Sequence, residues 1–183
     1  MSFDISKFRS SGLKSSGARP NLFDCQVTKA PVADITNKTE FKMLCKIASI
    51  PTSTIGVIEV PYFGRMVKIP GNRTFDNLSV TVMNDEDFMI RNAVEAWMNK
   101  LNAHESNKSE ITSAGQSGNM SGEMTVQHYN RAGDAISGAA WQFINIYPVA
   151  LGEIGLDWGS NDAIEEFTID FAYDYWKHGT YTT

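Results

Sequence analysis

The chain has 183 residues, 42% hydrophobic and 11% aromatic, which is enough for one folded domain with a sizeable core. A net charge of −5 argues against a basic nucleic-acid-binding surface as the main function. No apolar run approaches the ~20 residues of a membrane span, and the opening MSFDISKFRS lacks the apolar centre of a signal peptide.

Residues 1–20 are rich in Ser, Gly and Lys/Arg, with Phe3, Ile5, Phe8 and Leu13 isolated among them. They cannot bury a core of their own, so the expectation is a flexible N-terminal arm before a single domain at 21–183. Spaced apolar residues also suit an arm that orders on a partner. Gly12 to Gly17 superficially suggests a phosphate loop. Ala18 and Arg19 stand where Lys and Ser/Thr are required, and no strand precedes it. Asn21–Thr28 reads as a strand containing Cys25, and Pro31–Lys38 as a turn region. Glu40–Ala48 reads as a second strand, with Phe41, Met43, Cys45 and Ile47 on one face. Two cysteines are too few for a disulfide framework, and both are expected to be reduced, half-buried strand residues. Pro51, Thr52, Ser53 and Thr54 form a turn or loop. Ile55–Val60 and Arg65–Ile69 are short β-branched runs joined by Pro61-Tyr62-Phe63-Gly64, a hairpin tip. Tyr62 and Phe63 there either form an exposed contact surface or fold back on the hairpin. Pro70-Gly71-Asn72 turns the chain onward.

The pattern is strongest from Arg73 to Asn102. Leu78, Val80 and Val82 alternate with Ser79, Thr81 and Met83, as in a half-buried strand. Asn84 or Asp85 is placed to cap a helix, and the acidic run Asp85, Glu86, Asp87 suits the positive end of its dipole. Ile90, Val94, Trp97 and Leu101 then form one apolar stripe, flanked by Ala93 and Met98. The predicted helix has about 17 residues and is roughly 25 Å long. Asn102–Gly122 is a polar surface loop. Glu123–Tyr129 alternates again, and 131–138 is a Gly-punctuated turn. Ala140–Ala150 is apolar on both faces, which predicts a buried strand running into Pro148. Residues 151–162 form a loop around Trp158. The last strand, Ile164–Trp176, sets Phe167, Ile169, Phe171, Tyr173 and Tyr175 against Glu166, Thr168, Asp170, Ala172 and Asp174. About eight strands and one helix make the fold class mainly β: an antiparallel sandwich or barrel with one packed α-helix.

Nothing in this pattern points to catalysis, a cofactor or a metal. His104, His128 and His178 are scattered, without metal-ligand spacing, and no Ser stands in a G-x-S-x-G elbow. Asp85, Glu86 and Asp87 are consecutive and point in different directions. Glu166, Asp170 and Asp174 share a strand face, but four residues along a strand span about 13 Å. That is too far for a glycosidase pair, so a solvated acidic face is the plain reading.

Several fragments together resemble the tail tube proteins of contractile-tailed, T4-like bacteriophages: EVPYFGR (59–65), GNRTF (71–75), NDEDFMIRNAVEAWMNKLN (84–102), VQHYNRAGDA (126–135), LDW (156–158) and EEFTIDFAYDYW (165–176). The resemblance covers roughly 20–178. It implies a subunit that closes into hexameric rings, stacked into a hollow tube inside a contractile sheath, with a baseplate and a tail terminator at the ends. Genomic DNA would pass through without specific binding, in a virion tail assembled in the bacterial cytoplasm. The resemblance also places a protruding loop at the ring-stacking surface, here Pro51, Thr52, Ser53, Tyr62 and Phe63, joined by Phe3 and Phe8 of the arm. Four strands from each of six subunits would make a barrel about 48 Å across the backbone. The acidic row Glu166, Asp170, Asp174 is then expected to face the lumen or the sheath. An alternative is the inner tube of a related contractile injection or type VI secretion machine. A ligand-binding barrel or carboxylate hydrolase would instead be a monomer with a deep pocket.

Overall fold

The computed structural model describes residues 17–109 and 120–179. Phe3, Ile5, Phe8 and Leu13 of the arm, and the middle of the polar loop, lie outside the described residues. Among the described residues there are nine strands and two helices, and every strand pairing is antiparallel.

The first strand, β1 (Phe23–Lys29), buries Cys25 and Val27. The expected second strand is divided. Thr39–Leu44 forms a short helix, α1, and strand β2 (Cys45–Ser49) begins only after it. Over six residues an alternating pattern fits either period, and burial decides between them. The helical turn buries Phe41 completely, while Met43, expected on the same face, is exposed. The described residues therefore carry two helices, not one.

Strands β3 (Ser53–Tyr62) and β4 (Arg65–Phe75) form a separate two-stranded sheet. Pro70-Gly71-Asn72 lies inside β4, not in a turn after it. The register slips there, from Ile55 opposite Arg73 to Val57 opposite Pro70. Glycine eases the close approach at this β-bulge: a Cβ on Gly71 would lie 3.1 Å from the Gly56 carbonyl oxygen.

Strand β5 (Leu78–Met83) buries Leu78, Val80 and Val82. Helix α2 (Met89–Leu101) starts later than its acidic run suggests. Asp85 holds a turn instead: its carboxylate accepts from the Glu86 N–H at 2.9 Å, and its carbonyl accepts from Phe88 N–H at 2.9 Å. Phe88 enters the helix in the left-handed region with no side-chain cap. The stripe of α2 packs inward, with Ile90, Ala93, Val94 and Trp97 buried and Leu101 half-buried.

Strands β6 (Gly122–Tyr129), β7 (Ala135–Leu151), β8 (Glu166–Ala172) and β9 (Tyr175–Gly179) complete the body. The path of strands is β1-β6-β7-β8-β5-β2, with β9 also on β7. Strand β7 is the hinge of this arrangement. Its first part pairs with β6 and β9, and Tyr147–Leu151 pairs with β8. It therefore belongs to two leaves, β1-β6-β7-β9 and β7-β8-β5-β2. The corner is Asn145, whose φ of 57° suits a short polar side chain. The Ser121 hydroxyl donates to Asn145 Oδ1 at 3.3 Å, and Asn145 Nδ2 donates to Asp174 Oδ2 at 2.6 Å. Beyond that corner β7 is not buried on both faces, since Tyr147 and Val149 are exposed. Opposite the corner, the expected last strand breaks after Ala172 and resumes as β9. The core lies between the leaves, with Cys25, Val27, Met124, Val126 and Phe143 facing Leu78, Val80, Val82, Phe167, Ile169 and Phe171. Trp97 meets this core, its ring centroid 6.3 Å from that of Phe171.

Candidate assembly surfaces

The hairpin β3–β4 is the clearest unpartnered surface. Its register assigns each side chain to a face. Ile58 lies opposite Ile69, Val60 opposite Val67 and Tyr62 opposite Arg65, which makes one face an almost continuous apolar ladder. The other face is mixed: Glu59 lies opposite Lys68, their charged groups 3.8 Å apart, between the pairs Val57/Pro70 and Pro61/Met66. Both faces are open, and every residue of β3 is exposed. At the tip Phe63 is 92% exposed and Tyr62 65%, and their rings stack edge to face at 4.8 Å. The two aromatics touch each other rather than folding back on the hairpin.

Of the residues expected at the stacking surface, Phe3 and Phe8 lie outside the described residues, and the rest lie at the two ends of the hairpin. Pro51, Thr52 and Ser53 lie at the root of the hairpin, where Thr52 bonds the Asp76 side chain and its carbonyl accepts the Asp76 N–H. Tyr62 and Phe63 lie at the far end of β3, about 30 Å away along the strand. Phe75 anchors the root, 5.9 Å from the Tyr173 ring and 6.3 Å from that of Trp176.

The acidic row is shorter than its pattern. Glu166 and Asp170 share the outward face of β8, but Glu166 is paired with Lys46 of β2 at 2.5 Å. Asp174 stands outside β8, held by Asn145 at the corner.

A polar cluster without a local sequence signal occupies the outer face of the first leaf. Lys42 of α1 lies 2.5 Å from Asp24 of β1, and the Tyr129 hydroxyl of β6 donates to the same carboxylate at 2.5 Å. The bond to Asp24 pushes the Lys42 ammonium's pKa up, against the opposing effect of burial. Burial, then the Asp24 bond, raises that of the Tyr129 phenol. With Gln26, Thr28, Glu123 and Gln142 these groups line an open cleft of about 340 Å³. The loop between β7 and β8 leaves Trp158 fully exposed and Leu156 80% exposed. Among the described residues no cluster of His, Cys, Asp and Glu could hold a metal ion, and no helix is long and apolar enough to cross a membrane.

The family of phage tail tube proteins matches residues 18–179, from the end of the arm to the end of β9. The chain belongs to the phage tail tube protein family. It is 31% identical over 160 residues to the tail tube protein gp19 of Enterobacteria phage T4, covering 87% of this chain and 91% of that one, and equally so to gp19 of Enterobacteria phage T6. The fold is similar to the tube-terminating cap of the anti-feeding prophage, with a TM-score of 0.63 at 18% identity over 92% of this chain and 95% of the other. Within the family's span fall the hairpin, both leaves and the α2 stripe.

Proposed function

We propose that this chain is the structural subunit of a bacteriophage tail tube. Copies close into hexameric rings, and rings stack into a hollow tube within a contractile sheath, between baseplate and tail terminator. Genomic DNA passes through that lumen into the host without specific binding. The tube belongs to the virion tail, is assembled in the host cytoplasm, and performs no catalysis.

The observation that carries this reading is the β3–β4 hairpin. A lone two-stranded hairpin is marginal in water, and monomers rarely expose a contiguous apolar patch of this kind. The ladder of Ile58, Ile69, Val60, Val67 and Tyr62 needs a cover, and a second copy stacked on the first supplies one. Family membership supports that choice of partner. The edges of the leaves argue the same way. Among the described residues, strands β1, β9 and β2 each pair on one side only, and exposed edges invite uncontrolled pairing. A head-to-tail interface that closes by rotation covers such edges in a ring. Charge suits the cargo: six copies at −5 give about −30 per ring, which repels a polyanion instead of gripping it.

Negative-stain microscopy and size-exclusion chromatography of the purified chain test the reading. Rings or tubes are expected, and a persistent monomer under a range of salt would overturn it. Tyr62→Asp with Phe63→Asp then tests the hairpin. These substitutions lie at a solvent-exposed tip, so the variant should fold and fail to stack. Tubes of normal length from the double variant would remove the hairpin from the stacking interface.

A further inference from the structure

Two exposed apolar surfaces attach to opposite ends of one strand. Strand β5 pairs with β8 from Leu78 opposite Phe171 to Met83 opposite Glu166, a length of about 17 Å. The root of the β3–β4 hairpin joins the Leu78 end through Phe75 and Asp76. The loop between β7 and β8 enters β8 at the Met83 end. That loop is fixed on both sides. The Gly152 N–H donates to the Thr168 carbonyl at 2.7 Å, and the Gly152 carbonyl accepts from Arg91 of α2 at 3.1 Å. Asn84 donates to Glu165 twice, from its N–H to the carbonyl at 2.8 Å and from Nδ2 to the carboxylate at 3.0 Å. Ile154 packs against the core, while a turn in which the Asp157 carboxylate accepts the Gly159 N–H at 2.9 Å holds Trp158 out in solvent. Among the described residues, Trp158 and Leu156 are the most exposed large apolar side chains outside the hairpin. With Ile164 they line an open cleft of about 450 Å³. The two surfaces carry opposite charge. Residues 152–165 hold Glu153, Asp157, Asp162 and Glu165 and no Lys or Arg, whereas the hairpin holds Arg65, Lys68 and Arg73 against Glu59 alone. Lys68 is spent on Glu59, and neither Arg65, beside Tyr62 at the tip, nor Asp157 or Asp162 makes an ion pair among the described residues.

We propose that the β7–β8 loop is the receiving surface for the hairpin tip of a second copy of this chain, with Tyr62 and Phe63 seated against Leu156, Trp158 and Ile164 and Arg65 facing Asp157 and Asp162. This contact presupposes the stacked tube proposed for the chain and names the surface on which each hairpin lands. A head-to-tail contact joins two different patches of one molecule, so the hairpin needs a complement elsewhere on the same chain. The loop supplies apolar area, acidic charge and a place at the other end of β5. Within one copy the two do not meet, since Phe63 and Trp158 are both open to solvent. Aromatic and Arg side chains are the usual anchors of such an interface, and a guanidinium beside the Trp158 ring gains a cation–π attraction. The opposite charges steer the approach and fix which end of the molecule meets which. Anchoring of the loop through Asn84 and Arg91 holds the receiving surface in place before the second copy arrives, which lowers the entropic cost of binding.

The test uses the full chain, with assembly followed by negative-stain microscopy and analytical ultracentrifugation. Trp158 is fully exposed, so Trp158→Asp should melt with the parent and lose tube growth. Mixing supplies the decisive arm. The Trp158→Asp variant keeps an intact hairpin, and the Tyr62→Asp, Phe63→Asp variant keeps an intact loop. Neither should stack alone, and together they should form one-to-one pairs that grow no further. Charge gives a second arm. Arg65→Glu alone, or Asp157→Lys with Asp162→Lys alone, should slow growth, most of all at low salt, and all three substitutions together should restore it. Normal tubes from Trp158→Asp, a mixture that does not pair, or charge reversals that do not rescue one another would overturn the contact. So would normal Trp158→Asp tubes around which the sheath fails to assemble, which would give the loop to the sheath instead. A parent chain that never assembles overturns the tube itself, and the contact with it, whereas parent tubes beside normal Trp158→Asp tubes overturn the contact alone.

Discussion

Trp97→Ala is the most direct test of how α2 is held. Trp97 is completely buried, its Nε1–H donates to the Met120 carbonyl at 2.8 Å, and its ring lies beside that of Phe171. Its six-membered ring also abuts Gly122, where a Cβ would come within 2.8 Å of Trp97 Cη2. The close approach explains why a glycine opens β6. Truncation to alanine removes the largest side chain of the core and leaves a cavity that a helix packed on two leaves cannot fully collapse. A cost of about 3–5 kcal/mol is expected for such a change. Set against a typical total of about 5–15 kcal/mol, that is a large share of the stability. Trp97→Phe separates the contributions. It keeps a ring against Phe171 but withdraws the donor from Met120, and should cost about 1–3 kcal/mol. Urea unfolding followed by far-UV circular dichroism reads both, with midpoints compared at equal slope. The assay is best run in the stacking-deficient Tyr62→Asp, Phe63→Asp background, so that association does not add to apparent stability. A loss below about 1 kcal/mol for Trp97→Ala would refute the anchor and require a stripe that packs against another subunit.

Alkaline stability should single out Tyr173. Burial, then the Asp76 charge, pushes its phenol up to about 12, and its hydroxyl has no hydrogen-bond partner among the described residues. The unfolded chain loses this proton from about pH 10 while the folded chain keeps it, so stability falls as pH rises from about 10 to 12. Tyr173→Phe should therefore melt near the parent at neutral pH and above it at pH 11; a widening deficit with pH would contradict the sign. Glu166→Lys with Asp170→Lys tests the outward face of β8. If it lines the lumen, assembled tails should contract normally but deliver DNA more slowly, most of all at low salt. If it faces the sheath, tubes should form and sheath assembly should fail, and unimpaired delivery at low salt would leave only a solvated face. Deletion of residues 1–20 should leave a folded chain that does not polymerise, and tubes from the truncated chain would show the arm to be dispensable.

Elements whose identity is written in their own period were legible in advance. Leu78, Val80 and Val82 alternate with small polar residues, and a period of two has one solution once a single face is buried. The α2 stripe is similarly unambiguous, because four apolar residues at helical spacing over three turns match no strand. The hairpin tip at Tyr62 and Phe63 follows from Pro61 and Gly64 between two β-branched runs, whereas the exposure of its two aromatics was decided by the structure. The family resemblance drew on the tip and the α2 stripe among its fragments.

Other features depend on contacts that no local window contains. Phe41 and Met43 fit a strand or a helix equally well, and only the burial of Phe41 settled on α1. Strand β7 reads as one apolar run, but Asn145 bends it between leaves because Ser121 and Asp174 hold that side chain from distant segments. The same corner takes Asp174 out of the row it appeared to share with Glu166 and Asp170, while Lys46 pairs with Glu166 from across β5. Asp24, Lys42 and Tyr129 meet only because α1 folds back over β1 and β6 lies beside it. A chain's periodicity specifies which side of each element is apolar. Which elements become neighbours is decided by the packing of those sides against one another, and every site built from separated residues is a product of that packing.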